Sequence, residues 1–269
     1  MIILKSEAST HWYLPDGKPF YEIENKSKPG MMRKVTLRDA RKVNAVPSVT
    51  GITKMKFSRG LQNWINAGYI MAAATTPRFP DESDEVWVHR VVESADEEAR
   101  LARETGTGGH DDLENFIVNG YIPVSTPQFR YVNALIRWMD SEEIVRRDCE
   151  VEQSFSTLIH GYGGRVDLVV PDKGIVADYK FTKSTPGKPM ATYIEYGYQL
   201  AAYVQGLDMP RGTRLLSLLF SKTEPGRMEV KDWTDDRQML WEGFSACLTL
   251  WQQEHKYIPT LEETSDEVQ

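Results

Sequence analysis

The sequence predicts a mixed α/β fold, a central mixed sheet flanked by helices, with a basic N-terminal extension. Three observations lead there. Apolar residues recur at helical spacing from about Ser94 to Glu143. β-rich runs succeed one another between Cys149 and Phe181. A helix pattern over Ala191–Gln205 then leads into the apolar run Arg214–Phe220. The order helix, strand, strand, strand, helix, strand is that of a layered α/β core.

Each element has a local reason. The first ~25 residues read as short extended pieces about the turn Pro15-Asp16-Gly17. At Val46-Pro47-Ser48-Val49-Thr50, Ser48 or Thr50 can cap one helix running toward Trp64 and Ile70. Residues 75–87, rich in proline and acid, form a break. In the helical run from Ser94, Leu101, Leu113, Phe116 and Ile117 are the expected buried positions. Gly106-Thr107-Gly108-Gly109 is expected to break that helix or to admit a close backbone, because helix interiors tolerate glycine poorly.

A second helix is expected from Gln128 to Glu143, with Tyr131, Leu135 and Trp138 on one stripe. Strands follow at Cys149–Thr157, Gly164–Val170 and Gly174–Phe181. The turn Pro171-Asp172-Lys173-Gly174 makes the last two a hairpin. After Arg214–Phe220 come a strand at Met228–Trp233 and a closing helix at 235–254. The expected division is an extension and helical segment over 1–93, a core over 94–260 and an acidic tail over 261–269.

With 41% hydrophobic residues, the 269-residue chain can bury a sizeable core. Its net charge of −7 conceals a basic stretch from Lys26 to Arg59, with ten Lys or Arg against the single acid Asp39. Such separation suits a basic binding face on an acidic body. No apolar run approaches the roughly 18 residues that cross a bilayer, so no membrane partner is expected. The two cysteines, Cys149 and Cys247, have no metal-ligand spacing. A cytoplasmic protein without disulfides, zinc or an iron–sulfur cluster is the expectation.

The hairpin carries the chemistry. Asp178 and Lys180, two apart on one strand, leave the same face of the sheet with Val176, while Ala177 and Tyr179 face the other way. Pairing through the Pro171–Gly174 turn brings Asp167 close to Asp178. The bland alternative is a salt-bridged pair on a solvated face. These polar residues, however, interrupt two apolar runs, and buried charge without a task is costly. Paired carboxylates offer hard oxygen ligands to Mg²⁺ or Mn²⁺.

Asp167, ten intervening residues and then Asp178-Tyr179-Lys180 resemble the PD-(D/E)XK nuclease superfamily. The proline of the nominal motif is missing before Asp167, and Asp172 reads as a turn residue. Gly106-Thr107-Gly108-Gly109-His110 with Glu114 resembles the GTxxHxxxE motif of the RecB-like branch, and Gln199-Leu200-Ala201-Ala202-Tyr203 its QxxxY motif. Pro47-Ser48-Val49-Thr50 is similar to a segment of phage and mitochondrial genome maintenance exonucleases. Where the branch often has Asp-X-Lys-Thr, this chain has Phe181 and then Thr182.

The resemblance implies a restriction-endonuclease-like core that hydrolyses DNA, from single-stranded or free ends, with one or two Mg²⁺ or Mn²⁺ ions. It implies His110, Asp167, Asp178 and the Tyr179 main-chain carbonyl as metal ligands and Lys180 as the group that positions the attacking water. It implies Glu114 as a residue that supports those ligands from behind or binds the metal through a water, and Gln199 and Tyr203 as residues that line the site and place the strand. Glu152 is either a supporting residue or a solvated edge position. The basic stretch, with Trp64 and Tyr69 beyond it, can track a single strand by charge and stacking. An exonuclease, a structure-selective endonuclease and a non-catalytic nucleic-acid-binding module all remain open. No Walker-type loop is present, so an ATP motor is not expected.

Overall fold

The computed structural model describes residues 11–56, 58–124 and 126–260. The acidic tail at 261–269 and the Leu101 side chain lie outside the described residues. By contact, Lys56–Asp111 forms one compact unit. Residues 11–55 with 112–260 form the other, so the expected boundary at 93/94 falls inside a helix.

The sheet-bearing unit opens with β1 (Trp12–Tyr13), β2 (Glu22–Glu24) and β3 (Met32–Lys34), followed by α1 (Leu37–Lys42), β4 (Val46–Pro47) and α2 (Val49–Thr53). β1 pairs with β4, and Ser48 bridges in parallel to Gly163. The Ser48–Gly163 bridge ties the N-terminal segment to the main sheet. Arg33 forks onto Asp39 at 2.7 and 3.0 Å, and Asp39 closes a capping box with Thr36 at the start of α1.

The expected single helix toward Trp64 and Ile70 is two. Ser48 caps α2 by accepting from the Gly51 N–H, and Ser58 caps α3 (Arg59–Thr75) by accepting from Leu61. The second serine supplies a fresh helix start that a reading on apolar spacing alone passes over.

α4 (Asp84–Asn119) runs unbroken through Gly106–Gly109, against expectation. Each glycine costs about 1 kcal/mol relative to alanine in a helix interior. The turns beyond them are anchored by Leu113 and Ile117, which bury in the core with Tyr131, Leu135 and Trp138 of α5 (Thr126–Ser141). Tertiary packing here outweighs local propensity.

The sheet is β5 (Glu150–Thr157), β6 (Tyr162–Val170), β7 (Ile175–Thr182), β8 (Arg214–Ser221) and β9 (Met228–Asp232), in that spatial order. All neighbours are antiparallel except β7 and β8. That parallel pair requires a crossover, supplied by α6 (Ile194–Gly206). Pro171–Lys173 forms a 3₁₀ turn and Gly174 takes the left-handed φ of 58° that closes the hairpin, so Asp172 is a turn residue as expected. α7 (Arg237–His255) closes the chain.

Two cores sandwich the sheet. Val166, Val169, Val176 and Leu215 meet α6 and α7 on one face, together with the N-terminal segment. Leu168, Ala177, Tyr179 and Phe220 meet α5 on the other. The fold class is thus α/β with a five-stranded mixed sheet flanked by helices. Among the described residues, no helix is long and apolar enough to cross a membrane.

Candidate metal and phosphodiester site

The site begins with a fault in the sheet. Val166 and Leu168 are two apart and so belong on one face of a regular strand, yet they pack in different cores. The β5–β6 ladder pairs Val151 with Leu168 and Gln153 with Val166, passing over Glu152 and Asp167. Glu152 adopts a φ of 53°, a left-handed conformation uncommon outside glycine. β6 and β7 pair only over Leu168–Ala177, Val169–Val176 and Val170–Ile175. Past these rungs the Tyr179 N–H donates to Asp167 Oδ2 at 2.7 Å. A side-chain carboxylate replaces the ladder, and it fixes Asp167 against β7.

The face assignment of β7 holds. Val176 joins the α6 core and Ala177 and Tyr179 the α5 core, while Asp178 and Lys180 lie on the α6 side. Asp178 is only 2% exposed. Gln199 Nε2 donates to Asp178 Oδ1 at 2.7 Å and to the Tyr203 hydroxyl at 2.6 Å. Gln199 Oε1 accepts from Lys180 Nζ at 3.0 Å. Lys180 Nζ also ion-pairs with Asp178 Oδ2. The Tyr196 ring lies 5.1 Å from the ammonium.

α6 can approach this closely because β6 is small there. A Cβ on Gly164 would stand 2.8 Å from Tyr203 Cε1 and 2.9 Å from the Phe155 ring. A Cβ on Gly163 would stand 2.6 Å from the Phe155 carbonyl oxygen and 2.9 Å from Tyr13 Cβ. Gly164 therefore sets the distance at which Tyr203, and Gln199 with it, meets the strand residues, while Gly163 makes room for Tyr13.

Asp167 retains some exposed surface as a residue, but its carboxyl group lies inside the protein. Burial first, and then the neighbouring Asp178 carboxylate, push its pKa well above the ordinary range. Lys180 and the Tyr179 N–H oppose this. The Tyr203 hydroxyl is also pushed up, by burial and then by both carboxylates. Tyr196 is pushed up to about 12, chiefly by burial. Two enclosed carboxylates that repel one another are a donor set of hard oxygens, which suits a divalent cation of the Mg²⁺ or Mn²⁺ class.

The described geometry brings together Asp167, Asp178, Lys180, Gln199 and Tyr203, with the Tyr179 main chain alongside. His110 and Glu114 stand one turn apart near the end of α4, both half-buried and in different compact units. Among the described residues, no three His, Cys, Asp or Glu side chains form a group that could hold a metal ion. Glu152 is paired with Arg165, with Nε 2.5 Å from Oε2.

Sequence reasoning missed Tyr196, which precedes Gln199 by three positions on α6 and so shares its face. It also missed Arg165, two residues before Asp167, and the aromatic group His11, Tyr13 and Tyr21. No family model and no curated protein matches this chain.

Proposed function

We propose that the protein is a metal-dependent nuclease that hydrolyses DNA phosphodiester bonds, working as an exonuclease on single-stranded ends in replication, recombination or repair. The observation that carries this reading is the enclosed Asp167–Asp178 pair, with Lys180 held beside it by Gln199. The sheet order, with its hairpin and parallel crossover, is compatible with a restriction-endonuclease-like core.

Asp167, Asp178 and the Tyr179 carbonyl would hold one or two Mg²⁺ or Mn²⁺ ions. The bound cation supplies Lewis-acid polarisation of the phosphate and a more acidic water. Lys180 would donate a hydrogen bond to the attacking water or to a phosphate oxygen and hold the two in line. Gln199, bonded to Asp178 and Lys180 at once, fixes both side chains, and Tyr203 fixes Gln199. Burial around Asp178 limits bulk water and strengthens each of these interactions.

Digestion of end-labelled linear and closed circular single-stranded DNA in Mg²⁺, Mn²⁺ and EDTA tests the reading. It expects the linear strand to be degraded from an end in either metal and the circle to survive. Cleavage of the circle makes the enzyme an endonuclease, and no cleavage in either metal leaves a binding module.

A further inference from the structure

Past the last rung of the parallel pair, the turn from β8 to β9 gathers cations from three elements of the sheet-bearing unit. The Ser221 N–H closes the turn by donating to the Arg227 carbonyl at 3.1 Å. At its near end, the Lys222 N–H donates to the Thr182 carbonyl at 2.8 Å, and the Thr223 hydroxyl accepts from the Ser184 N–H at 2.9 Å. Lys183 stands between these two bonds. The main chains that carry Lys183 and Lys222 therefore run side by side, at the strand spacing of about 4.8 Å.

The far end of the turn rests on α5. The Gly226 carbonyl accepts from Arg137 Nη2 at 3.0 Å, and a Cβ on Gly226 would stand 3.7 Å from Arg130 Cβ. Arg130 and Arg137 are two helical turns apart and share one stripe of α5. The acids of the turn and of β9 are committed elsewhere. Glu224 Oε2 pairs with Arg227 Nη1 at 2.6 Å, and Glu229 Oε1 accepts from Arg227 Nε at 3.1 Å. Asp140, the acid of α5, lies beyond Arg137 near the helix end. Arg130, Arg137 and Lys183 are exposed and Lys222 is half-buried. Four positive charges thus stand on a braced frame, in a chain whose net charge is −7.

We propose that Arg130, Arg137, Lys183 and Lys222 form a track for the phosphodiester backbone of the nucleic-acid strand, at the end of β7 that carries Lys180. This deepens the nuclease reading above and rests on it. Lys183 follows Lys180 by three residues, at most about 10 Å of extended chain. Open α/β sheets bind their ligands outside the carboxyl ends of parallel strands, and β7 and β8 are the parallel pair here. Burial, and then the charge of Lys183, hold the Lys222 pKa below its ordinary value. A phosphate between the two ammonium groups relieves that repulsion. The guanidinium fork of Arg130 matches phosphate oxygens in a bidentate manner, while lysines add charge without demanding geometry.

Fluorescence anisotropy of a labelled single-stranded oligonucleotide, titrated in EDTA across a salt series, tests the track. The proteins are wild type, Arg130→Ala, Lys183→Ala, the double variant, Lys183→Arg and the control Lys173→Ala. Lys173 lies in the turn before β7, at the opposite end of that strand. We expect each alanine variant to weaken binding about 3–10-fold and to lower the log–log salt slope by about 0.7, and the double variant to lower it by about 1.4. Lys183→Arg keeps the charge and should bind as wild type does, as should Lys173→Ala. Unchanged affinity and slope in the double variant overturn the track, as does equal weakening by Lys183→Arg and Lys183→Ala. Cleavage in Mg²⁺ is followed in parallel. Weakened binding by variants of a protein that never cuts would keep the track and sink the nuclease reading, whereas cutting by wild type with unweakened variants would do the reverse.

Discussion

Gln199 joins Asp178 to Lys180: its amide nitrogen donates to Asp178 Oδ1 at 2.7 Å, and its amide oxygen accepts from Lys180 Nζ at 3.0 Å. One side chain of α6 thus sets the orientation of two residues of β7. Removing it leaves the carboxylate and the ammonium paired but no longer held in orientation by α6.

Gln199→Ala should therefore lower cleavage about 10–100-fold, the usual range for residues that orient metal ligands. Gln199→Glu should do worse, because glutamate accepts from Lys180 but cannot donate to Asp178 and adds a third negative charge. Initial rates across a Mg²⁺ series separate the two, and equal rates for wild type and Gln199→Glu would refute the bridging role.

Asp167→Asn should abolish cleavage yet stabilise the metal-free protein. The amide oxygen still accepts from the Tyr179 N–H, and the repulsion between two enclosed carboxylates disappears. Thermal melting in EDTA should show a higher Tm for the variant, and the gain should shrink with saturating Mg²⁺, which stabilises only the wild type.

Gly164→Ala should cost about 1–3 kcal/mol by overpacking, since its Cβ would meet the Tyr203 and Phe155 rings at 2.8 and 2.9 Å. Urea unfolding measures that loss. Activity should fall further than stability does, because the displaced Tyr203 carries Gln199 with it.

The Arg33–Asp39 fork makes a pH-dependent contribution. The Arg33 guanidinium and the Thr36 hydroxyl hold the Asp39 carboxyl well below the usual range. A depressed folded-state pKa gives stability that is fully present above the unfolded value near 4 and is lost progressively as pH falls toward and through the much lower folded-state value. Asp39→Asn should cost about 1–2 kcal/mol at pH 7. Chemical denaturation from pH 7 to about pH 2 should show the difference constant above about pH 4 and narrowing steadily below it.

The hairpin site was legible because period two puts Asp178 and Lys180 on one face, and helical spacing puts Gln199 and Tyr203 together one turn apart. The fault at Glu152 and Asp167 was not. Alternation places Val166 and Leu168 on the same side, and only the skipped rung between two strands separates them. α4 was missed as a continuous helix because Gly106–Gly109 has poor helix propensity, while Leu113 and Ile117 bury through contacts with distant residues. Residues 11–55 read as an extension because Trp12–Pro47 and Ser48–Gly163 pairing is long-range and leaves no local periodicity.

The central claim is that Asp167, Asp178 and Lys180 perform metal-dependent hydrolysis. Its most direct test is single-turnover cleavage of end-labelled single-stranded DNA in Mg²⁺ by wild type, Asp178→Asn and Lys180→Ala purified alike. The account predicts cleavage by wild type that EDTA abolishes, and a loss of at least about 100-fold in each variant, the scale of general acid–base contributions. Undiminished, metal-dependent cleavage by Asp178→Asn or Lys180→Ala would contradict it.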